Sequence, residues 1–397
     1  MLLKVGLRMI NKLKASIGQH SIIFLITIFT FSFTVTFLSE PYGINFISTS
    51  FVKVLGKTLC LCIAALAMDV VWGYCGILSL GHFAFFGLGG YMIGMWLMFE
   101  RTEIIVLNSI NEQQLPMTEI ELKDAIGNQI FGVVGGSEVP NIWMFADNLL
   151  IQLLLVVFIP GILAFIFGWL AFRSRVTGVY LSILTQAMTL ALSLYLFQND
   201  SGLRGNNGLS GLQNIPHLEE LGQPTISIWF FWLSSVALVS SLVFFKFIIN
   251  SKFGSVITAI RDNETRLRFF GYNVETYKLF IFVVTAIITG LAGALYYPQA
   301  GIINPAEIAP IASIYLAVWV AIGGRGQLFG AIIGAASVSL LSSWFTGGNA
   351  PNVNLVLYTI EWVNWWTVFL GIGFVLITIF SKNGLMGLLS VILVKTK

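Results

Sequence analysis

Ionisable and hydrogen-bonding side chains set inside long apolar stretches are the residues of this chain best placed to do chemistry. Asp69 stands in Ala67-Met68-Asp69-Val70-Val71-Trp72-Gly73-Tyr74, and His82 closes the glycine-rich run Gly73-Tyr74-Cys75-Gly76-Ile77-Leu78-Ser79-Leu80-Gly81-His82. An ionisable group at membrane depth is costly and usually faces a pathway or a partner. A glycine-rich break at that depth is tolerated only beside protein or a water-filled cavity. Further along, Tyr180, Ser182, Thr185, Gln186 and Thr189 supply hydrogen-bonding groups among apolar neighbours. The Gln186 amide both donates and accepts, so it can replace the water shell of a neutral amide-like solute without a counter-charge. The expected solute pathway is therefore Asp69, Tyr74, Ser79, His82, Thr185 and Gln186. The blander account stays open: Gly81, Gly87, Gly89 and Gly90 permit close helix packing, His82 bonds a neighbouring carbonyl, and Gln186 ties two helices together.

Reaction chemistry is excluded by what the sequence lacks. No G-x-x-x-x-G-K-[ST] phosphate loop occurs, and Gly323-Gly324-Arg325-Gly326 has no lysine to reach a phosphate. H-E-x-x-H, G-x-S-x-G and a Cys–His pair at catalytic spacing are absent too. Cys60, Cys62 and Cys75 have no metal-ligand spacing with His20, His82 or His217 and read as packing residues. The expectation is a chain that is not an enzyme and carries no metal or cofactor. If its work consumes ATP, another subunit holds the ATP-Mg.

One charged stretch, Lys252 to Gly271, is amphipathic. Val256, Ile260, Asn263, Leu267 and Phe270 fall at i, i+4, i+7, i+11 and i+14, a single helical stripe, and Gly271 can close the helix in a left-handed cap. Arg261, Asp262 and Glu264 flank that stripe, and Gly254 lies in its first turn. A short helix with an apolar ridge suits docking into a partner's groove. An interfacial helix with its cations at the lipid headgroups is the alternative.

The elements that must position these groups follow from composition. Of 397 residues, 57% are hydrophobic and only 10% charged, against about 25% charged in a soluble domain. The apolar runs have helix length, not the alternation of barrel strands. They predict an all-α polytopic transmembrane helical bundle of about ten spans, some short or broken, near 21–39, 55–73, 77–98, 149–171, 177–197, 227–248, 279–298, 311–323, 328–345 and 363–380. The organisation expected is a basic segment 1–20 followed by one permease domain 21–397, with a polar insert 100–147 and a charged loop 249–278. The run after Lys4, Arg8, Lys12 and Lys14 is too long for a signal peptide and is read as a retained first span. Thr118 and Glu121 have capping-box spacing and predict a helix running through Ile130. Most cations, among them Arg173, Arg175, Lys246, Arg266, Arg268, Lys278, Arg325, Lys382, Lys395 and Lys397, fall on the side of the N-terminus, which puts both termini in the cytoplasm. A net charge of +3 gives no reason to expect a nucleic-acid partner.

These residues resemble the permeases of branched-chain amino-acid-type ABC importers. Trp72 through His82, followed by Phe85-Phe86-Gly87-Leu88-Gly89-Gly90-Tyr91, looks like that family's most recognisable segment. Ala259-Ile260-Arg261-Asp262-Asn263-Glu264 through Gly271-Tyr272 looks like its ATPase-coupling loop, and Gly290-Leu291-Ala292-Gly293-Ala294-Leu295-Tyr296 like the span behind it. Asp69, Gln186, Gly205-Asn206-Asn207-Gly208-Leu209 and Ser343-Trp344-Phe345-Thr346 resemble the urea branch. Ser381-Lys382-Asn383-Gly384 and Arg204 depart from the family pattern, the latter in a loop where a smaller residue is common. The resemblance implies a bacterial inner-membrane machine that takes up urea: this subunit, a second related permease subunit, two cytoplasmic ATPase subunits and a periplasmic substrate-binding protein. A branched-chain amino-acid permease and an ATP-independent channel are the rival expectations.

Overall fold

A computed structural model describes residues 23–24, 26–44, 46–113, 118–135, 139–347, 353–355, 358–360, 362–380 and 384–387. The basic segment 1–20, the start of the first span and the tail cations Lys382, Lys395 and Lys397 lie outside the described residues.

The chain is an all-α polytopic membrane protein. Seven of its described helices are long and apolar enough to cross a bilayer: α2 (Thr49–Asp69, extended by a wider turn to Tyr74), α3 (His82–Gln113), α5 (Leu149–Arg173), α6 (Val179–Phe197), α7 (Gly222–Ile249), α9 (Val274–Ala300) and α11 (Leu328–Thr346). Their apolar windows have mean hydropathies of 1.3 to 2.8. Bilayer hydrocarbon selects such runs as helices because every backbone group must be satisfied within the segment. Three shorter apolar helices, α1 (Ile26–Leu38), α10 (Pro310–Gly323) and the Trp365–Ile377 part of α12 (Trp362–Phe380), fall on the remaining expected spans.

Between the spans lie α4 (Glu119–Phe131), the charged α8 (Lys252–Phe269) and two strand pairs of two or three residues, β1 (Leu209–Ser210) with β2 (Ile302–Ile303) and β3 (Val353–Leu355) with β4 (Tyr358–Ile360). The expected capping box forms: Glu121 Oε2 accepts from Thr118 N at 2.8 Å, and Thr118 Oγ1 accepts from Glu121 N at 3.4 Å. Two boundaries need correction. The span expected from 77 starts only at His82, because the residues before it are unwound, and the polar insert expected from 100 begins as a continuation of α3 to Gln113.

Two compact units divide the chain. The first gathers Met1–Ile77, Phe231–Ile281 and Leu316–Lys397. In it α2 packs along α11 through Thr58 and Ser339, whose hydroxyls meet at 3.1 Å, and through Cys62 Sγ, which donates to Ile332 O at 3.5 Å. Cys60, Cys62 and Cys75 are buried and form no disulfide among the described residues, as packing residues should. The second unit comprises Leu78–Phe230 and Phe282–Tyr315. Here α3 crosses α9 with main chains touching: a Cβ on Gly89 would strike the Gly290 carbonyl, and one on Gly293 the Phe86 carbonyl. The polar stretch 199–216 of this unit folds inward. Trp143 Nε1 donates to Gly202 O at 2.6 Å, Arg101 Nη1 to Gly211 O at 3.0 Å, and the buried Arg204 Nη1 to Gly208 O at 3.3 Å. Gly208 has a left-handed φ of +61° and lies against the Ile303 carbonyl, so no side chain fits there.

Candidate functional site

In the first unit the α-helical ladder of α2 widens over Val70–Tyr74 into a π turn. Two arginines reach carbonyls of that turn: Arg261 Nη1 donates to Gly73 O at 2.7 Å, and Arg325 Nη2 donates at 3.2 Å to Trp72 O, which also accepts from Gly76 N, with its guanidinium 4.9 Å from the Trp72 ring centre. Asp69, completely buried, accepts from Gly326 N through Oδ1 at 2.7 Å. Gly73 is obligatory, because a Cβ there would meet the Asp69 carboxylate and the Gly326 main chain. Tyr74 is half-buried beside the start of α11 at Leu328. Burial lowers the Arg325 guanidinium from its ordinary value and the Arg261 charge adds to this, while Asp69 opposes it. Asp69, Tyr74 and Arg261 are thus brought together at one junction. Its other members, Arg325 and Gly326, had no distinguishing sequence signal beyond a cation in a glycine-rich loop.

In the second unit the unwound residues before α3 are held by α6. Ser182 Oγ donates to Leu78 O at 2.7 Å, and Thr185 Oγ1 accepts from Leu80 N at 3.0 Å while donating to Ser182 O at 2.8 Å. Gly81 sits directly on Thr189 and the Thr185 carbonyl. The first turn of α3 receives a cap from α10, with Ser313 Oγ accepting from Phe83 N at 3.1 Å. These hydroxyls meet the demand that every polar backbone group at depth find a partner. Two side chains remain unmatched. Ser79 Oγ and both His82 ring nitrogens are fully buried and have no hydrogen-bond partner among the described residues. The His82 ring stands edge-on to Phe85 and Phe282, with centroids 5.8 and 6.1 Å away. Gln186 is half-buried and its amide makes no hydrogen bond among the described residues. Ser79, His82 and Thr185 therefore share the unwound corner, whereas nothing ties Gln186 to it.

The amphipathic stretch forms α8, with Ser251 as its N-cap and Gly271 in the expected left-handed conformation at φ +82°. The expected single stripe is broken, however. Asn263 adopts φ −160° and ψ 92°, outside the helical region, and its Oδ1 accepts from Arg266 N at 3.0 Å, so it caps a second helical segment. Asparagine competes for backbone groups in this way because its side chain is short and polar. Of the stripe residues, Ile260 is buried and Val256 and Leu267 are half-buried, but Phe270 is exposed. Gly254 packs against the Ile249 main chain, and Asp262 pairs with Arg261 at 3.0 Å.

Glu264 holds the second segment to the start of α9. It accepts from Arg268 Nη2 at 2.7 Å and from Lys278 Nζ, and Arg268 also reaches Glu275. Burial alone would raise the Glu264 carboxyl, but the hydrogen bonds from Lys278 and Arg268, with their charges, outweigh it and hold the carboxyl below its ordinary value. A depressed carboxyl contributes stability above its unfolded-state value and loses it as pH falls through the folded one. The segment 264–270 should therefore be firm at neutral pH and loosen in acid. Glu264→Gln should bring that loosening to neutral pH at a cost of about 2 kcal/mol, because the nearly buried Lys278 loses its counter-charge. Hydrogen exchange across 264–270, compared at neutral and acidic pH, checks this; protection in the variant equal to that of the native chain would refute it.

Comparisons with known proteins match this architecture. Residues 50–379 match the family described as the permease component of branched-chain amino acid transport systems. LivM of Salmonella typhimurium, a high-affinity branched-chain amino acid transport system permease protein, is 22% identical over 310 residues, covering 73% of this chain and 62% of that relative. LivM of Escherichia coli is 23% identical over 314 residues with the same coverage. A ribose import permease protein, RbsC of Haemophilus influenzae, is 26% identical over 117 residues, or 28% of this chain and 35% of that relative. No solved structure matches. The chain thus spans about 62% of the length of its LivM relatives. With the match running through every long span described above, the chain belongs to the family of permease components of branched-chain amino acid-type transport systems.

Proposed function

We propose that this chain is a membrane-spanning subunit of an ATP-driven importer for urea, working with a second related permease subunit, two ATPase subunits that bind ATP-Mg on the cytoplasmic side, and a periplasmic binding protein. The observation that carries this reading is the junction of α8 with the end of α2. Arg261 lies on a charged helix and grips the Gly73 carbonyl of a span, so a displacement of that helix is passed to the span. Its docking contacts are Phe269 and Phe270, 85% and 74% exposed beside Arg266. Large exposed aromatics next to a cation are typical anchors for a partner groove.

Asp69 accepts from the Gly326 N–H through Oδ1 and keeps a buried Oδ2 without a hydrogen-bond partner among the described residues, so the urea reading rests on neutral hydrogen-bonding groups instead. Ser79, His82 and Gln186 offer hydrogen bonds of the kind an amide needs. The second reading, a branched-chain amino-acid importer, is favoured by the names of the LivM relatives. The double variant Phe269→Asp and Phe270→Asp should lose the ATPase subunits on co-purification, with helix content unchanged by circular dichroism. Labelled urea uptake by the assembled transporter should vanish with them. Retained ATPase binding and uptake would sink the coupling role. Uptake blocked by leucine and not by urea would shift the cargo to the second reading.

A further inference from the structure

Gly324-Arg325-Gly326-Gln327, which joins α10 to α11, has the composition of a flexible link, with left-handed φ values of +121° at Gly324 and +77° at Gly326. Packing makes it a clamp instead. Behind it α10 and α11 meet with main chains touching: a Cβ on Gly323 would strike the Gly330 carbonyl, and one on Gly334 the Trp319 carbonyl. The chain after α12 closes on a second side, where a Cβ on Gly384 would meet Gly324 N and Ile322 O. In front stands the end of α2, close enough that a Cβ on Gly73 would overlap the Gly326 main chain. Backbone packed directly on backbone has no soft side chain to absorb a displacement, so it passes one on.

Two charged side chains fasten this contact from opposite sides. Asp69 reaches from α2 to the loop and accepts from Gly326 N at 2.7 Å, while Arg325 reaches from the loop to α2 and donates to Trp72 O at 3.2 Å. Each element thus grips the main chain of the other. Such charge-assisted bonds are roughly twice as strong as neutral ones. Arg325 is exposed and forms no ion pair among the described residues, yet its guanidinium is held on the Trp72 carbonyl and over the Trp72 ring. The next carbonyl along, Gly73 O, is the one that Arg261 of α8 takes. Consecutive carbonyls of one π turn are therefore held by two different elements.

We propose that Asp69 and Arg325 are positioning residues that lock the end of α2 to the start of α11, so that a displacement delivered by α8 at Gly73 moves both spans together. The lock rests on the reading above, in which Arg261 carries the movement of α8, and extends it by one element. Further along the same two helices Thr58 meets Ser339 and Cys62 meets the Ile332 carbonyl, so α2 and α11 travel as one body and not as two sliding ones. Asp69 then acts through Gly326 and does not touch the solute.

The test is uptake of labelled urea and of labelled leucine by the transporter reconstituted with its partner subunits, with ATP hydrolysis and recovery of the assembled complex measured alongside. Asp69→Ala and Arg325→Ala should each lower maximal uptake per ATP hydrolysed about tenfold and leave the half-saturating concentration unchanged. Asp69→Asn, which keeps an acceptor for Gly326 N, should recover most of the loss. Arg325→Lys keeps the charge but not the flat face over Trp72 and should recover only part. Full maximal uptake with a raised half-saturating concentration in Asp69→Ala overturns the lock, because the carboxylate is then a solute ligand. Undiminished uptake per ATP in Arg325→Ala overturns it as well, and this exposed position decides the matter where Asp69→Ala is not recovered. So do losses that only follow reduced recovery of the complex. Arg261→Ala separates the two levels: if it also transports fully, the coupling reading falls, and if it alone fails, only the lock does. If the unsubstituted transporter takes up neither solute, the permease reading falls and the lock with it.

Discussion

Exchanging Arg261 for alanine should reduce solute uptake by more than tenfold while the ATPase subunits stay bound. Its guanidinium donates to the Gly73 carbonyl through Nη1 and pairs with Asp262 through its other nitrogens. A hydrogen bond from a charged donor contributes about 1.5–3 kcal/mol, and 1.4 kcal/mol is a factor of ten in an equilibrium constant. Losing it frees α8 from the end of α2, so movement of the one no longer compels the other. Gly76, with its left-handed φ of +80°, packs on the Arg261 backbone and stem, so alanine also opens a gap there. Arg261→Lys keeps one donor and should retain part of the transport. Proteoliposome uptake read against co-purified ATPase decides the matter; full uptake in Arg261→Ala would show that the junction transmits nothing.

A valine at Gly293 should prevent the chain from accumulating in the membrane. The clash is with the Phe86 carbonyl, a backbone atom that cannot swing aside, and Gly89 repeats the arrangement against Gly290 on the same pair of helices. Membrane helices associate through such close main-chain approach because lipid offers no hydrophobic drive between them. Overpacking a core costs about 1–3 kcal/mol, and more where the neighbour is rigid. Gly371→Ala is the matched control, since a Cβ there meets nothing within 4 Å. Thermal unfolding in detergent should drop sharply for Gly293→Val and stay level or rise for Gly371→Ala. Equal stability of the two variants would refute the close crossing.

Hydropathy alone located the spans, because the demand for about twenty apolar residues is written along a contiguous stretch. The capping box at Thr118 and Glu121 and the left-handed Gly271 were legible for the same reason: both are local. What escaped was the use to which polar residues are put. Asp69 reads in the sequence as a solute ligand, and only the structure adds that its Oδ1 accepts from Gly326 N, 257 residues further on, because a backbone N–H leaves no mark in a sequence. Thr185 reads as a pathway group and Ser182 as a hydrogen-bonding neighbour, and nothing local in the sequence shows that their hydroxyls also serve the Leu80 and Leu78 main chain. Periodicity also overstated α8, since counting every third or fourth residue passes over an Asn263 that prefers to cap.

The stitching of the unwound corner by α6 has a further consequence for how this part of the chain can drift. Ser182 and Thr185 bind main-chain atoms of Leu78 and Leu80, so these bonds place no demand on which side chains residues 78 and 80 carry. The constraint is one-sided: the two hydroxyls on α6 are fixed, while their partners are free to vary without any compensating change. Pairwise covariation would pass over this contact, although it is among those that keep the corner open.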